Sequence, residues 1–356
     1  MTATNSNSRP WYLSLPISIV AVAVLGLLSG VIHRLFLHPL SKVPGPKLAA
    51  LTYLYQFYFN IVAGSRFYAH VEKLHERYGP AVRIGPNEVH LSDPDNYEKI
   101  YNSGTNTVSN EVHRVRRGAL NPLFSRMKVL DLENVVQSKA QKLVRHVTQG
   151  ASRKKPVDLH HAFRAVSVDV ITDYAFDDCY NCLDHDDFNA EFFSNVHALG
   201  AAVWFFQQWP ILQPVGRNIP VWLAAVLSKP LERFMKMQIG CRQQIVGIKS
   251  RIEAGEEKQT RTTIFHQLLN PNATEGHVVP SVDQMKDEAY VMLSAAADTT
   301  GNAMTIAAFH VISNESIYRR LCKELEGTFP DPSLPLHFLI LEKLPYLTGV
   351  IKEGLR

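Results

Sequence analysis

The spacing of apolar positions changes along the chain, and the spacing sets the elements. Leu13 to Ile32 is a run of 20 residues without a charge. As a helix it would span about 30 Å, the thickness of a bilayer core. Trp11 and Tyr12 stand at its front edge, where amphipathic rings favour the interface. Ser41-Lys-Val-Pro-Gly-Pro46 follows. Its prolines cannot continue a helix, so a stiff hinge is expected there. Helical spacing then covers 66–78. Ala81-Val-Arg-Ile84 and Glu88-Val-His-Leu91 alternate about Gly85-Pro-Asn87, which predicts a short hairpin. From Asp93 onward the spacing is helical, over about 94–102, 111–125, 131–149, 159–176, 187–206, 226–255, 261–269, 281–313, 315–326 and 345–356. No repeat occurs at solenoid periods. The pattern predicts a mostly α chain with a small β-sheet, preceded by one N-terminal transmembrane helix.

Charge gives that helix a direction. Arg9 alone precedes it, whereas His33, Arg34, Lys42 and Lys47 follow. This bias predicts a single-pass anchor with the main part in the cytosol. A cleaved signal peptide is the competing reading, but the run is long for one and Ser29-Gly30 is a poor exit site. In the 356-residue chain, Lys+Arg 37 against Asp+Glu 33 leaves +4, too mild to argue for nucleic acid. With 46% apolar and 20% charged residues, disorder is excluded as the default state. Four cysteines make no disulfide scaffold and suit a reducing compartment. Cys179-Tyr-Asn-Cys182 lacks the second pair that zinc wants and the following histidine that c-type haem wants, so two ordinary cysteines are the better reading. No His-Glu-x-x-His, phosphate loop or dinucleotide glycine fingerprint is present.

The chemistry concentrates in one long segment. Ser281-Val-Asp-Gln284 reads as a capping box that opens a helix. From Ala289 to Ile312 its only charge is Asp298, among Ala295, Ala296, Ala297, Thr299, Thr300 and Gly301. A second membrane span is disfavoured, because aspartate near a bilayer centre costs about 2.5–3.5 kcal/mol. A core helix with a structural Asp-Thr pair remains open on these residues alone. An acid in an apolar helix costs free energy unless something uses it.

Ala295-Ala-Ala-Asp-Thr-Thr300 resembles the oxygen-activation motif of the cytochrome P-450 haem-thiolate monooxygenases. Glu353-Gly-Leu-Arg356 resembles that family's Glu-x-x-Arg helix, and His113-Arg-Val-Arg-Arg117 with Leu120-Asn-Pro-Leu-Phe-Ser125 resembles its early helix at the haem propionates. With the anchor and Pro44-Gly-Pro46, five features stand in the family's order. The resemblance covers essentially the whole chain and is most similar to fungal, trichodiene-oxygenase-type enzymes.

The resemblance implies a P-450 fold and haem as cofactor. Asp298 and Thr299 would deliver protons. Ala295 and Ala296 would lie against the cofactor, with Ala296 where glycine is usual. His113, Arg116 and Arg117 would meet the propionates, Arg117 by the matching register and Arg116 as the substitute. Glu353 and Arg356 would be structural. The expected domains are 1–12 lumenal, 13–34 anchor, 35–50 Pro-rich hinge and 51–356 the N-terminal part of the monooxygenase domain. Partners would be an NADPH-dependent cytochrome P-450 reductase, membrane lipid of the endoplasmic reticulum and a hydrophobic substrate. The substrate expected is a fungal secondary metabolite, terpenoid first and polyketide second, which is hydroxylated or epoxidised. The aromatic stretch 201–212 with Val221–Val226 would roof its channel. No cysteine has the ligand loop's surroundings, so no iron ligand is assigned. The helical pattern running to Arg356 without a cap suggests a fold incomplete at the C-terminus. The alternative function is accordingly an inactive truncated remnant, at most a membrane-bound ligand- or partner-binding protein.

Overall fold

The computed structural model describes residues 11–64, 66–101, 111–176, 178–196, 207, 209, 219–227, 229–255, 262–331 and 335–356. They fall into two compact units, one of residues 1–108 with 200–218, the other of 109–199 with 219–356.

The first unit begins with α1 (Trp11–Ile32) and one π-helical turn at His33–Leu37. The stretch Ser18–Leu37 is apolar and long enough to cross a membrane, and none of it is buried against protein. The chain then passes through a 3₁₀ turn at Pro39–Lys42, where His38 Nδ1 accepts from the Leu40 amide at 3.1 Å. Beyond it stand α2 (Phe67–Tyr78) and the hairpin of β1 (Ala81–Gly85) and β2 (Glu88–Leu91). The hairpin is antiparallel, pairing Val82 with His90 and Arg83 with Val89, with an irregularity between Arg83 and Gly85. α3 (Asn96–Tyr101) follows.

Arg83 fastens the segment that leaves α1. Its buried guanidinium donates to Arg34 O at 2.9 Å and Pro86 O at 2.7 Å, and its amide donates to Pro44 O at 2.7 Å. Gly45 lies so close to β1 that a Cβ there would stand 2.4 Å from Arg83 O. The Pro-Gly-Pro stretch therefore lies along the hairpin, and only glycine permits the approach.

The second unit is helical: α4 (Glu111–Leu120), α5 (Glu133–Ser152), α6 (Leu159–Phe176), α7 (Val221–Leu227), α8 (Lys229–Ala254), α9 (Ile264–Leu269), α10 (Val282–Ser313), α11 (Glu315–Thr328) and α12 (Pro345–Gly354). Two expected helices are divided. The pattern over 111–125 breaks into turns after Leu120, at Asn121-Pro122, where proline disfavours a continued helix; Ser125 then caps a new short helix at Arg126–Leu130. The pattern over 226–255 divides near Pro230 into α7 and α8. Of 187–206, residues 190–196 are helical and 197–206 lie outside the described residues.

α10 carries the unit. Its start is the capping box: Ser281 Oγ accepts from the Gln284 amide at 3.2 Å, and Gln284 Oε1 accepts from the Ser281 amide at 3.0 Å. Met285, Ala289, Leu293, Ala297 and Gly301 are its buried residues. They recur every four positions and form one stripe. Phe176, Ile245, Phe265 and Leu268 pack against the front of that stripe, with Phe176 and Phe265 stacked at 4.8 Å. Val168, Leu183 and Phe193 pack around Ala297.

Candidate functional site

Another face of α10 is exposed. Val291, Ala295, Thr299, Asn302 and Ile306 are exposed, at spacings of four, four, three and four. Val291 is 59% and Ile306 40% exposed, so this face is apolar and open. Thr299 Oγ1 donates to Ala295 O at 2.8 Å. Ala296 is half-buried at the edge of the stripe.

Asp298 points to the buried side. Its Oδ1 forms an ion pair with Arg164 Nη2 of α6. Arg164 is only 2% exposed; its Nε donates to Ala297 O at 3.1 Å, and its guanidinium lies 4.5 Å over the Phe193 ring. The helices can meet so closely because residue 301 is glycine: a Cβ there would stand 2.5 Å from Arg164 Cγ and 2.8 Å from its Cα. One turn on, Ser167 Oγ donates to Ala296 O at 2.8 Å. One turn back, His160 Nδ1 lies 3.3 Å from Thr305 Oγ1. Burial, and then the Arg164 charge, hold the His160 imidazole below its ordinary value. The acid and the alcohol, adjacent in sequence and about 100° apart around the helix, thus belong to different faces.

α4 brings a cation to the same helix. Arg116 Nη1 pairs with Glu288 Oε1 at 3.2 Å, one turn before Val291. Arg117 is exposed, and the side chain of His113 lies outside the described residues. At the other end α12 packs on α10, where a Cβ at Gly354 would lie 3.0 Å from Ala307 Cβ. Glu324 of α11 caps α12, accepting from the Tyr346 and Leu347 amides at 2.9 and 2.8 Å. This places a carboxylate at a helix N-terminus, where the dipole favours it. Glu353 and Arg356 pair at 3.7 Å on the exposed side.

The family model described as cytochrome P450 matches residues 87–356. The chain belongs to the cytochrome P450 family. Among curated P450 relatives, a cytochrome P450 monooxygenase of Cochliobolus heterostrophus is 32% identical, over 97% of this chain and 70% of its own. A tryptophan 6-hydroxylase of Fusarium equiseti is 33% identical over 95% and 70%, and a conidiogenone synthase of Penicillium rubens 33% over 92% and 68%. A crystal structure of a cytochrome P450 superposes with a TM-score of 0.52 at 15% identity, over 70% of this chain and 53% of that one, and supports the fold. The chain thus spans about 70% of the length of these curated relatives and about half of the solved one.

The P450 family's cofactor is haem, and its members work with a redox partner on hydrophobic substrates. The open face of α10 suits a flat apolar ring, while Arg116 beside it is paired with Glu288 at 3.2 Å. The cysteines do not fit the iron's thiolate ligand. Cys182 and Cys241 are buried, and burial pushes their thiols up to about 12 and about 11. Cys179 accepts from Lys139 Nζ at 3.2 Å, and Cys322 lies on α11. None of the four lies on the open face. Among the described residues no three His, Cys, Asp or Glu side chains form a group that could hold a metal ion.

Sequence reasoning missed Arg164, Ser167 and Glu324. Arg164 had a signal: it is the only Lys or Arg in Leu159–Phe176, a counterpart to the lone Asp298. Of the aromatic stretch, 201–206 and 210–212 lie outside the described residues, while Trp222 and Val226 are exposed on α7.

Proposed function

We propose that the protein is a membrane-anchored, haem-dependent monooxygenase that hydroxylates or epoxidises a hydrophobic secondary metabolite, a terpenoid before a polyketide. The observation that carries this reading is the division of Asp298 and Thr299 between the two faces of α10. A proton relay needs one group in contact with polar surroundings and one at the reaction face. Asp298, paired with Arg164, is the first. Thr299 is the second: its hydroxyl proton goes to Ala295 O, so its lone pairs are available to accept. Arg116 and Arg117, with His113, would hold the propionates of haem, and Ala295 and Ala296 would lie against its ring. Haem, when bound, supplies the oxygen activation. α1 would hold the protein in the endoplasmic reticulum membrane, and an NADPH-dependent P450 reductase would supply electrons. Two relatives named as hydroxylases of tryptophan and N-acetyltryptophan favour hydroxylation.

The test is turnover in reductase-containing microsomes supplied with haem and a panel of terpenoid and polyketide scaffolds. An oxygenated product that requires NADPH and O2 is expected. Thr299→Ala should divert oxygen to peroxide; unchanged coupling removes Thr299 from the role. The surroundings of the four cysteines favour a second reading, a membrane-bound ligand- or partner-binding protein without turnover. A reduced, carbon-monoxide-bound spectrum lacking the thiolate-type Soret band would select it.

A further inference from the structure

Three successive carbonyls of α10 each accept a side-chain donor. Ala295 O takes the Thr299 hydroxyl at 2.8 Å, Ala296 O the Ser167 hydroxyl at 2.8 Å, and Ala297 O takes Arg164 Nε at 3.1 Å. α10 is nonetheless α-helical throughout Val282–Ser313. Its ladder assigns the same carbonyls to the amides of Thr299, Thr300 and Gly301. A carbonyl oxygen has two lone pairs and can accept both donors. Shared in this way it holds its ladder amide less tightly, and side chains that enter the ladder are a recognised origin of helix bending. Two of the three donors come from α6, so the sequence of α10 does not account for them.

The arrangement is built rather than incidental. Ser167 and Arg164 are three apart and share a face of α6. Arg164 is fixed by the Asp298 carboxylate and the Phe193 ring as well as by Ala297 O. Gly301 supplies the space for its backbone. These contacts fall on the turn that carries Asp298 and Thr299.

We propose that Ser167 and Arg164 are positioning residues for the Asp298–Thr299 pair. They draw the carbonyls of Ala296 and Ala297 toward α6 and loosen α10 there, whereas the sharing of Gly301 O by the Thr305 hydroxyl at 2.7 Å, one turn on, comes from within α10. They also keep Asp298 on the α6 side while Thr299 stays on the open face. The catalytic consequence rests on the monooxygenase reading; the loosening does not.

Amide hydrogen exchange of the full chain in detergent micelles tests the loosening directly, through the amides of Thr300 and Gly301 in the wild type, Ser167→Ala, Arg164→Lys and Arg164→Gln. Ser167→Ala should slow exchange at Thr300 several-fold relative to the flanking turns, because Ala296 O then serves its ladder amide alone. Arg164→Gln should slow Gly301, and Arg164→Lys, which still offers a charged donor, should stay nearer the wild type. A purely structural role gives the opposite sign, faster exchange spread along α10. Faster or unchanged exchange at Thr300 in Ser167→Ala overturns the proposal, and this variant decides alone if Arg164→Gln does not fold. In the haem-loaded protein with reductase, Ser167→Ala should lower kcat and raise the peroxide share with KM unchanged. A changed KM with unchanged coupling overturns the catalytic half. Absence of turnover in the wild type counts against the monooxygenase reading, and the exchange result still decides whether the turn is loosened.

Discussion

At the scale of single residues, the contact of α6 with α10 sets clear directions. Gly301→Ala puts a methyl group into the backbone of Arg164, which cannot move aside as a flexible side chain would. The expected cost is about 1–3 kcal/mol, read as a lowered unfolding midpoint. Gly247→Ala is the control: nothing lies within 4 Å of its added Cβ, and α8 is helical there. It should stabilise by about 0.5–1 kcal/mol. The ion pair is asymmetric, since the side chain of Arg164 is 3% exposed and that of Asp298 37%. Asp298→Asn removes the carboxylate that pairs with a buried cation and should cost about 3 kcal/mol. Arg164→Met, which fills the same space and leaves a half-exposed carboxylate, should cost less. Equal losses in chemical denaturation would show that the guanidinium gains little from its partner. The sequence displayed Asp298 because an acid in an apolar run is conspicuous. It hid Arg164, because a cation on a helix ordinarily faces solvent and only the packing of α6 buries this one.

The titration of His160 gives a second direction at the same scale. Burial, then the Arg164 and His161 charges, depress this histidine below 6.5. The unfolded chain therefore binds the proton at a higher pH than the folded one. Stability from this group is present above pH 6.5 and is lost as the pH falls through the folded value. Unfolding midpoints measured from pH 7.5 downward should fall, and His160→Gln should flatten the slope. An unchanged slope would place the acid sensitivity in the other depressed histidines, His70 and His90.

At the scale of elements, legibility follows whether the signal is local. The start of α10 was readable because a capping box needs only Ser281 and Gln284. The hairpin was readable from period-two alternation, and the observed strands Ala81–Gly85 and Glu88–Leu91 keep its bounds nearly unchanged. The division after Leu120 was not read, although Pro122 announces it, because apolar spacing continues across the break. What Arg83 does was not readable at all. Its partners Arg34 and Pro44 lie 49 and 39 positions away, and only folding brings their carbonyls to one guanidinium and one amide. Arg83→Met should therefore release the segment between α1 and the hairpin. Trypsin should cut after Lys42 and Lys47 several-fold faster than in the wild type, with cleavage after Lys249 in α8 unchanged. Equal rates would mean that Gly45 and the Pro44 carbonyl suffice to hold the segment.

At the scale of the whole molecule, charge and apolar surface set its affinity for a membrane. The net charge of +4 gives only a weak attraction to anionic lipid, and salt screens it beyond about 8 Å at physiological ionic strength. The apolar helix is the stronger term. Val22, Leu25 and Leu27 are 69%, 66% and 71% exposed, and no protein surface covers them. Burying an apolar side chain contributes about 1.5–3 kcal/mol. A run of this length therefore outweighs the charge many times over. Both terms draw the protein to lipid, but they respond oppositely to conditions. If α1 is the anchor, the full chain should float with neutral vesicles, stay there in high salt and resist alkaline carbonate. A chain lacking residues 1–37 should remain at the bottom of the gradient on neutral vesicles. Flotation of the shortened chain would locate membrane affinity in other exposed apolar surface, such as Trp222 and Val226 on α7. Release of the full chain by salt alone would instead show that charge, and not the helix, does the holding.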